Sequence, residues 1–351
     1  LALLAGHGCL AFAQAPATPP TPGCDVCATW NADQAPFRIF GNTYYVGVKG
    51  LSSVLITSPQ GHVLIDGGLP ESAPKIIASI GALGFRIEDV KLILNSHGHI
   101  DHAGGLAELQ RRSNALVAAS PSAALDLASG EVGPDDPQYH ALPKYPPVKD
   151  MRLARDGSQF NVGPIALTAH ATPGHTPGGL SWTWQSCDGP RCLNMVYADS
   201  LNAVSRPGFK FSASSEYPHA VADLRHSFET LEKLPCDVLI SAHPEASQLW
   251  ERLAAMPLST RRPATPMWRR RAPWSTRAWN RKNNREFASD LVNCARWRGA
   301  NLLRWRHSFE EGNAMFTLAR LIPLAAIVAI TAGCAQTPVR SDAAAAAPGA
   351  T

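Results

Sequence analysis

The segment Asn95-Ser96-His97-Gly98-His99-Ile100-Asp101-His102-Ala103-Gly104-Gly105 carries three histidines and an aspartate within six residues. Imidazole nitrogen and carboxylate oxygen are donor types that zinc takes. His97 and His99 alternate, so one extended segment can offer both to a single ion, while Asp101 and His102 turn toward a second. Four donors leave two ions undersatisfied, and two later histidines stand in suitable contexts. His175 lies in Thr172-Pro173-Gly174-His175-Thr176-Pro177-Gly178-Gly179, and His243 in Ser241-Ala242-His243-Pro244 after the apolar run Val238-Leu239-Ile240. Three protein ligands per ion leave positions open for water, the arrangement of a catalytic rather than a structural site. Isolated histidines carry no such signal: His62, His140, His170, His219 and His226 are expected to be ordinary core or surface residues.

The elements that must hold these side chains are legible between about residues 36 and 256. Short β-rich runs cover Phe37–Phe40, Thr43–Val48, Ser53–Thr57 and His62–Asp66, with turns at Gly41-Asn42 and Pro59-Gln60-Gly61. Ser72 is expected to cap a helix through Leu83. A buried strand Val90–Leu94 ends where the histidine cluster begins, and strand ends are where ligand sites form. Next come a helix Gly104–Arg112, a strand Leu116–Ala119, a helix Pro121–Ser129 and a Pro-rich polar loop to about Lys149. Strands at Ile165–His170, Leu180–Gln185 and Asn194–Ala198, a helix Pro218–Leu231, a strand Val238–Ser241 and a helix Ala246–Met256 repeat the theme. Strands first, then strand–helix alternation, twice over, predict an α/β sandwich of two sheets with helices outside.

With these residues in view, the chain resembles the metallo-β-lactamase superfamily, and subclass B3 most closely. The resemblance rests on the H-x-H-x-D-H segment, the T-P-G-H-T turn and the strand-end His243. Softer matches are Gly41-Asn42-Thr43-Tyr44-Tyr45-Val46-Gly47, Ser58 to Gly67, Trp182 to Cys187, and Tyr197-Ala198-Asp199-Ser200-Leu201. It implies an αββα sandwich with two Zn2+ ions at one edge, His97, His99 and His175 on the first and Asp101, His102 and His243 on the second. It implies hydrolysis of the β-lactam amide bond by a metal-bound hydroxide that Asp101 orients, with Ser200, Asn202 and Gln138 as contacts for a small-molecule substrate. Other members, lactonases among them, bridge the two ions with an aspartate from the strand near Tyr197–Ser200. In subclass B3 that place belongs to a non-coordinating serine, here Ser200, and the adjacent Asp199 leaves both arrangements open. Another dizinc hydrolase such as a lactonase is therefore the alternative function.

The remaining stretches read differently. Residues 1–15, an apolar run ending in Ala13-Gln14-Ala15, resemble the back half of a secretory signal peptide, so a periplasmic enzyme is expected, with residues 16–35 as an extension. Net charge is −6 over residues 1–256 but +9 over 257–314, where Arg and Trp crowd together. A basic, aromatic tail could bind nucleic acid or an anionic membrane, yet no apolar periodicity accompanies it. Residues 315–351 have the layout of a lipoprotein signal: Met315, Arg320, an apolar stretch, then Thr331-Ala332-Gly333-Cys334. Both stretches are read as foreign to the enzyme, the first out of frame, and the enzyme as a monomer without nucleic-acid or stable membrane partners. Cys187 and Cys192 flank a turn short enough for a local disulfide. Cys24 and Cys27 form a CxxC that an exported protein needs neither for redox chemistry nor for zinc. The family ties the Cys236 position to a C-terminal helix, so Cys236 is expected to lack its partner. Losing such a bridge typically costs about 2–5 kcal/mol. Translating the underlying DNA in the other frames is expected to give a sensible continuation after Met256; its absence would refute the out-of-frame reading.

Overall fold

A computed structural model describes residue 21 and residues 24–254. The signal-like run, the basic stretch from residue 257 and the lipoprotein-like segment lie outside the described residues. Two sheets face each other. One has seven strands in sequential order: β1 (Phe37–Phe40), β2 (Thr43–Tyr45), β3 (Val54–Ile56), β4 (His62–Ile65), β5 (Val90–Leu94), β6 (Leu116–Ala119) and β7 (Met151–Leu153). It is antiparallel through β4 and parallel from β4 to β7. The other runs β12-β11-β10-β9-β8, from β8 (Gln159–Val162), β9 (Ile165–Ala171), β10 (Leu180–Asp188), β11 (Arg191–Ala198) and β12 (Val238–Ser241), with only the β11–β12 pair parallel.

Side-chain alternation sorts the apolar residues into layers. In β5, Leu92 and Leu94 face the second sheet, meeting Leu167, Trp182, Tyr197 and Ile240 between the layers. Ile93 faces outward into a cluster with Ile76, Ile80, Leu106, Leu109 and Leu127. Those residues lie on α2 (Ala73–Ala82), α4 (Leu106–Ser113) and α5 (Pro121–Ser129). On the far side Val196, Ala198 and Leu239 pack with Leu231 of α6 (Ala220–Lys233). The result is the expected αββα order. β4 is buried throughout because its sheet is covered on both faces.

Local chemistry explains the ends of the helices. Ser120 Oγ accepts from Ala123 N at 3.1 Å, Pro121 opens α5, and Gly130 closes it in the left-handed region. The parallel pairing sends the C-terminal ends of β4, β5 and β6 to one edge, and β9, β11 and β12 end together in the other sheet. Hydrogen bonds from Leu180 N to Ser96 O (2.8 Å) and from Trp182 Nε1 to Asn95 O (3.2 Å) join the two sets of ends.

Several expectations need correction. β7 and β8 were not predicted: β7 exposes Arg152 and Leu153, and β8 alternates polar and apolar over only four residues, so neither stands out by hydrophobicity. The predicted helix Ala246–Met256 starts late, because Pro244–Ser247 form a 3₁₀ turn and Gln248 turns left-handed before α7 (Leu249–Ala254). A four-residue helix α3 (Ile100–Ala103) precedes α4. Ser72 does not cap α2 with its side chain; its hydroxyl donates to Asn31 Oδ1 at 2.8 Å. The Cys187–Cys192 bridge is present, and Cys24 pairs with Cys27. Cys236 is disulfide-bonded too, contrary to the expectation that it lacks a partner; the partner lies outside the described residues. Among the described residues no helix is long and apolar enough to cross a membrane.

Among the described residues Trp182 is the largest fully buried side chain, sitting between the sheets with its indole N–H satisfied. Trp182→Ala is expected to remove about 3–5 kcal/mol of stability through the cavity left behind, measurable by urea unfolding.

Candidate metal centre

The edge where the strands end gathers every residue the cluster motif pointed to. Donor atoms of His97, His99 and His175 lie within 4.8 Å of one another, as do those of His97, Asp101 and His102. His243 joins the second group: its Nε2 is 3.2 Å from His102 Nε2 and 3.3 Å from Asp101 Oδ2. The loop after β5 supplies four of these side chains, the turn after β9 supplies His175, and the end of β12 supplies His243.

Four of the five imidazoles are hydrogen-bonded from behind, and the fifth, His102, faces a carboxylate without bonding it. His97 Nδ1 bonds Asp199 Oδ1 at 2.7 Å, and His99 Nε2 lies 3.0 Å from Asp136 Oδ2. His102 Nδ1 is 3.4 Å from Asp66 Oδ2. His175 Nδ1 donates to Asn202 O at 2.9 Å and His243 Nδ1 to Gly50 O at 3.2 Å. An acceptor on one ring nitrogen puts the hydrogen there and leaves a lone pair on the other, the outer-partner pattern of metal-binding histidines. His97 Nε2 is buried with no protein partner. A bare buried polar atom costs about 1–3 kcal/mol, and a metal ion would relieve it. The donor set and its outer partners fit a metal site.

Electrostatics follow from this crowding. Burial, reinforced by the charges of His102, His99 and His175, holds His97 well below its ordinary pKa. Burial and His99 push His175 down to about 3. Burial opposes charge on His99 as well, but Asp136 outweighs it and the pKa rises. Burial likewise opposes charge on His102, yet Asp101 and Asp66 drive it up to about 10. Burial opposes the Asp101 charge, and His102 and His243 override it to hold the carboxyl well below the usual range.

Asp66 and Asp136 were missed by sequence reasoning. Asp66 accepts from Ser96 N (2.7 Å), Ser96 Oγ (2.6 Å) and Tyr197 Oη (2.8 Å), and adopts a left-handed backbone with φ of 58°. A non-glycine residue held there at a binding edge is a signal of function, but only coordinates reveal it. Asp199 sits behind His97, on its Nδ1 side, and is outside both donor groups. Gly179 makes room for it: a Cβ there would come within 2.4 Å of Asp199 Oδ2.

Of the predicted substrate contacts, Gln138 Nε2 reaches within 3.4 Å of His99 Nδ1. The Ser200 hydroxyl is buried without a protein partner. Asn202 meets the cluster through its backbone oxygen, while its side chain accepts from Val204 N. Among the other histidines, His62 packs edge-on against Phe85 and His170 Nε2 bonds Thr183 Oγ1, both away from the cluster.

A family profile described as the metallo-beta-lactamase superfamily matches residues 46–189. The solved Rm3 metallo-beta-lactamase is 77% identical, with a TM-score of 0.71, covering 83% of this chain and 100% of that one. MEM-A1, a subclass B3 metallo-beta-lactamase isolated from a soil metagenome library, is 46% identical, with a TM-score of 0.69, covering 80% of this chain and 98% of its own. A hydroxyacylglutathione hydrolase of Anaeromyxobacter dehalogenans (strain 2CP-C) is 30% identical over 131 residues, covering 37% of this chain and 41% of the relative. The chain spans about half the length of the curated relatives it matches.

Beneath the histidine loop lies a further carboxylate, Asp126 of α5. A Cβ on Gly98 would come within 2.5 Å of Asp126 Oδ2, so the loop can ride over it only with glycine there. Asp126 Oδ1 accepts from Gly133 N at 3.0 Å. Burial first, then the Asp136 charge, raise its pKa to about 7. A folded pKa above the unfolded one means a proton is held on folding, so this contribution is fully present below about pH 4 and lost as pH rises through about 7. Asp126→Asn keeps an acceptor and removes the charge. The variant's stability advantage over the wild type is expected to be near zero at pH 4 and to reach about 4 kcal/mol by pH 8. Urea unfolding at intervals across that range measures it, and a pH-independent difference would contradict it.

Proposed function

This chain belongs to the metallo-beta-lactamase superfamily, and from that premise we propose that it hydrolyses the amide bond of β-lactams with two zinc ions. The reading assigns His97, His99 and His175 to one ion and Asp101, His102 and His243 to the other. The observation that carries it is the set of five imidazoles, four hydrogen-bonded from behind and the fifth, His102, facing the Asp66 carboxylate, around a buried His97 nitrogen with no protein partner. Zinc held there supplies a Lewis acid for the carbonyl oxygen and brings the pKa of coordinated water to about 7.

The chain's own groups do the positioning. Asp101, kept ionised between His102 and His243, accepts a hydrogen bond from the attacking water and fixes its direction. Ser200, whose hydroxyl is buried without a protein partner, is the candidate contact for the carboxylate that β-lactam substrates carry. Gln138, beside His99, lines the same approach. The Asn202 carbonyl is committed to His175, so only its side chain can reach substrate.

The hydroxyacylglutathione hydrolase relatives favour a second reading, a dizinc thioester hydrolase. Against it stand the pairing of one Asp199 oxygen with His97 Nδ1, on the side of the ring away from the converging donors, and the absence of Asp199 from both donor groups among the described residues. Export to the periplasm, as a monomer, belongs to the same proposal. All five described cysteines are disulfide-bonded, and disulfides persist in oxidising compartments.

The purified chain is expected to hydrolyse a cephalosporin and a carbapenem, to lose both activities to a chelator, to regain them with zinc, and to ignore serine-directed inhibitors. Asp101→Ala is expected to lower kcat by about 10²–10⁴-fold. Faster turnover of a glutathione thioester than of either β-lactam would instead establish the second reading.

A further inference from the structure

The N-terminal segment before β1 is not a loose extension. The four-residue helix α1 (Cys27–Trp30) sets Cys27 into the outer core beside Val46, Val48 and Leu51. The segment is tied down along its length. Thr21 donates through N and Oγ1 to the Glu71 carboxylate, Ser72 Oγ to Asn31 Oδ1, and Lys75 Nζ to Asn31 O. Two backbone bonds join it to the loop after β2: Gly50 N to Trp30 O at 2.8 Å and Lys49 N to Ala32 O at 2.9 Å.

That loop is where His243 finds its acceptor. The Gly50 carbonyl takes the Nδ1 hydrogen, and the Trp30 ring lies against the imidazole itself, with centroids 5.1 Å apart and planes at 56°. Trp30 touches both halves of the arrangement. A Cβ on Gly50 would come within 2.7 Å of Trp30 Cα and Cδ1, so the tryptophan and this glycine are in closest contact. His243 needs such support more than the other four imidazoles do. Its side chain is 23% exposed, whereas those of His97, His99 and His102 are 2% or less. The Cys24–Cys27 bridge closes the turn that begins α1, immediately before Trp30.

We propose that Trp30 is a positioning residue for His243, and that the Cys24–Cys27 disulfide keeps the segment carrying Trp30 seated against the metal site. The inference rests on the two-ion reading given above. A residue acting through a ligand's orientation changes the affinity of the ion that ligand holds, typically 10- to 100-fold for outer partners, and leaves the neighbouring ion alone.

Zinc titration of the chelated full chain, in competition with a coloured chelator, reads each equivalent separately, and His243→Ala identifies which equivalent depends on His243. Trp30→Ala is expected to weaken that equivalent about tenfold, with the other within about twofold of wild type. Trp30→Phe, which keeps a ring against the imidazole, is expected to stay within about threefold for both. Joint replacement Cys24→Ser and Cys27→Ser is expected to weaken the His243-dependent equivalent in the same sense, by less. Cobalt in place of zinc gives an absorption spectrum that responds to ligand geometry and is expected to change in Trp30→Ala but not in Trp30→Phe. Two equivalents in wild type with both, or neither, weakened in Trp30→Ala would overturn this inference alone. Fewer than two equivalents in wild type would overturn the reading of the site and this inference with it.

Discussion

Five imidazoles and a carboxylate crowded into one largely buried edge of a sandwich pose an electrostatic problem that shapes everything around them. Protonating all the rings would set like charges a few ångströms apart in a medium that screens poorly. Leaving them neutral but free to rotate would bury unpaired nitrogens. The protein answers by giving four of the outward nitrogens a hydrogen-bond acceptor, Asp199, Asp136 and the carbonyls of Asn202 and Gly50, and by setting the Asp66 carboxylate 3.4 Å from the fifth. The inward lone pairs then converge without any side chain having to choose its orientation at the moment an ion arrives. Such preorganisation is what turns a histidine-rich loop into a reaction centre.

The fold serves that requirement directly. Acceptors and ligands come from the ends of β4, β5, β9, β11 and β12, so both sheets contribute, and their relative placement must be held to a fraction of an ångström. Trp182 does part of this, filling the space between layers while its indole N–H bonds the carbonyl of Asn95, two residues before His97. Asp66 does another part, since the residue just after β4 in one sheet accepts from Tyr197 in the other and from Ser96 at the entrance to the histidine loop. Core packing and site geometry share the same atoms here.

How much of this was readable beforehand depended on distance along the chain. His97, His99, Asp101 and His102 announce themselves because four ligands fall in six residues, and His175 and His243 could be added because each sits in a turn after an apolar run. Asp66 and Asp136 could not. They lie 30 residues before Ser96 and 37 after His99, and an aspartate at a strand end or in a polar loop has many ordinary uses. The role of Asp199 was undecidable for a related reason: adjacency to Ser200 says nothing about which side of His97 its carboxylate occupies. The strands that carried strong apolar alternation were legible. β7 and β8 were not, because β7 exposes Arg152 and Leu153 and the alternation of β8 lasts only four residues. Cys236 was read as unpaired from the expected loss of a helix, an argument from absence that its sulfur contradicts.

The division of ligands along the chain also imposes an order of assembly during biosynthesis. A nascent polypeptide emerges from its N-terminus, so four of the six candidate donor side chains are available before half of the molecule exists. The last, His243, follows the whole of the second sheet. Until then the early histidines have neither the Asp199 carboxylate nor the Asn202 carbonyl to set their tautomers, and an ion captured at that stage would meet an incomplete shell. Completion of the shell is thereby postponed until the second sheet has been synthesised, so the early histidines wait for partners that only the later half of the chain supplies.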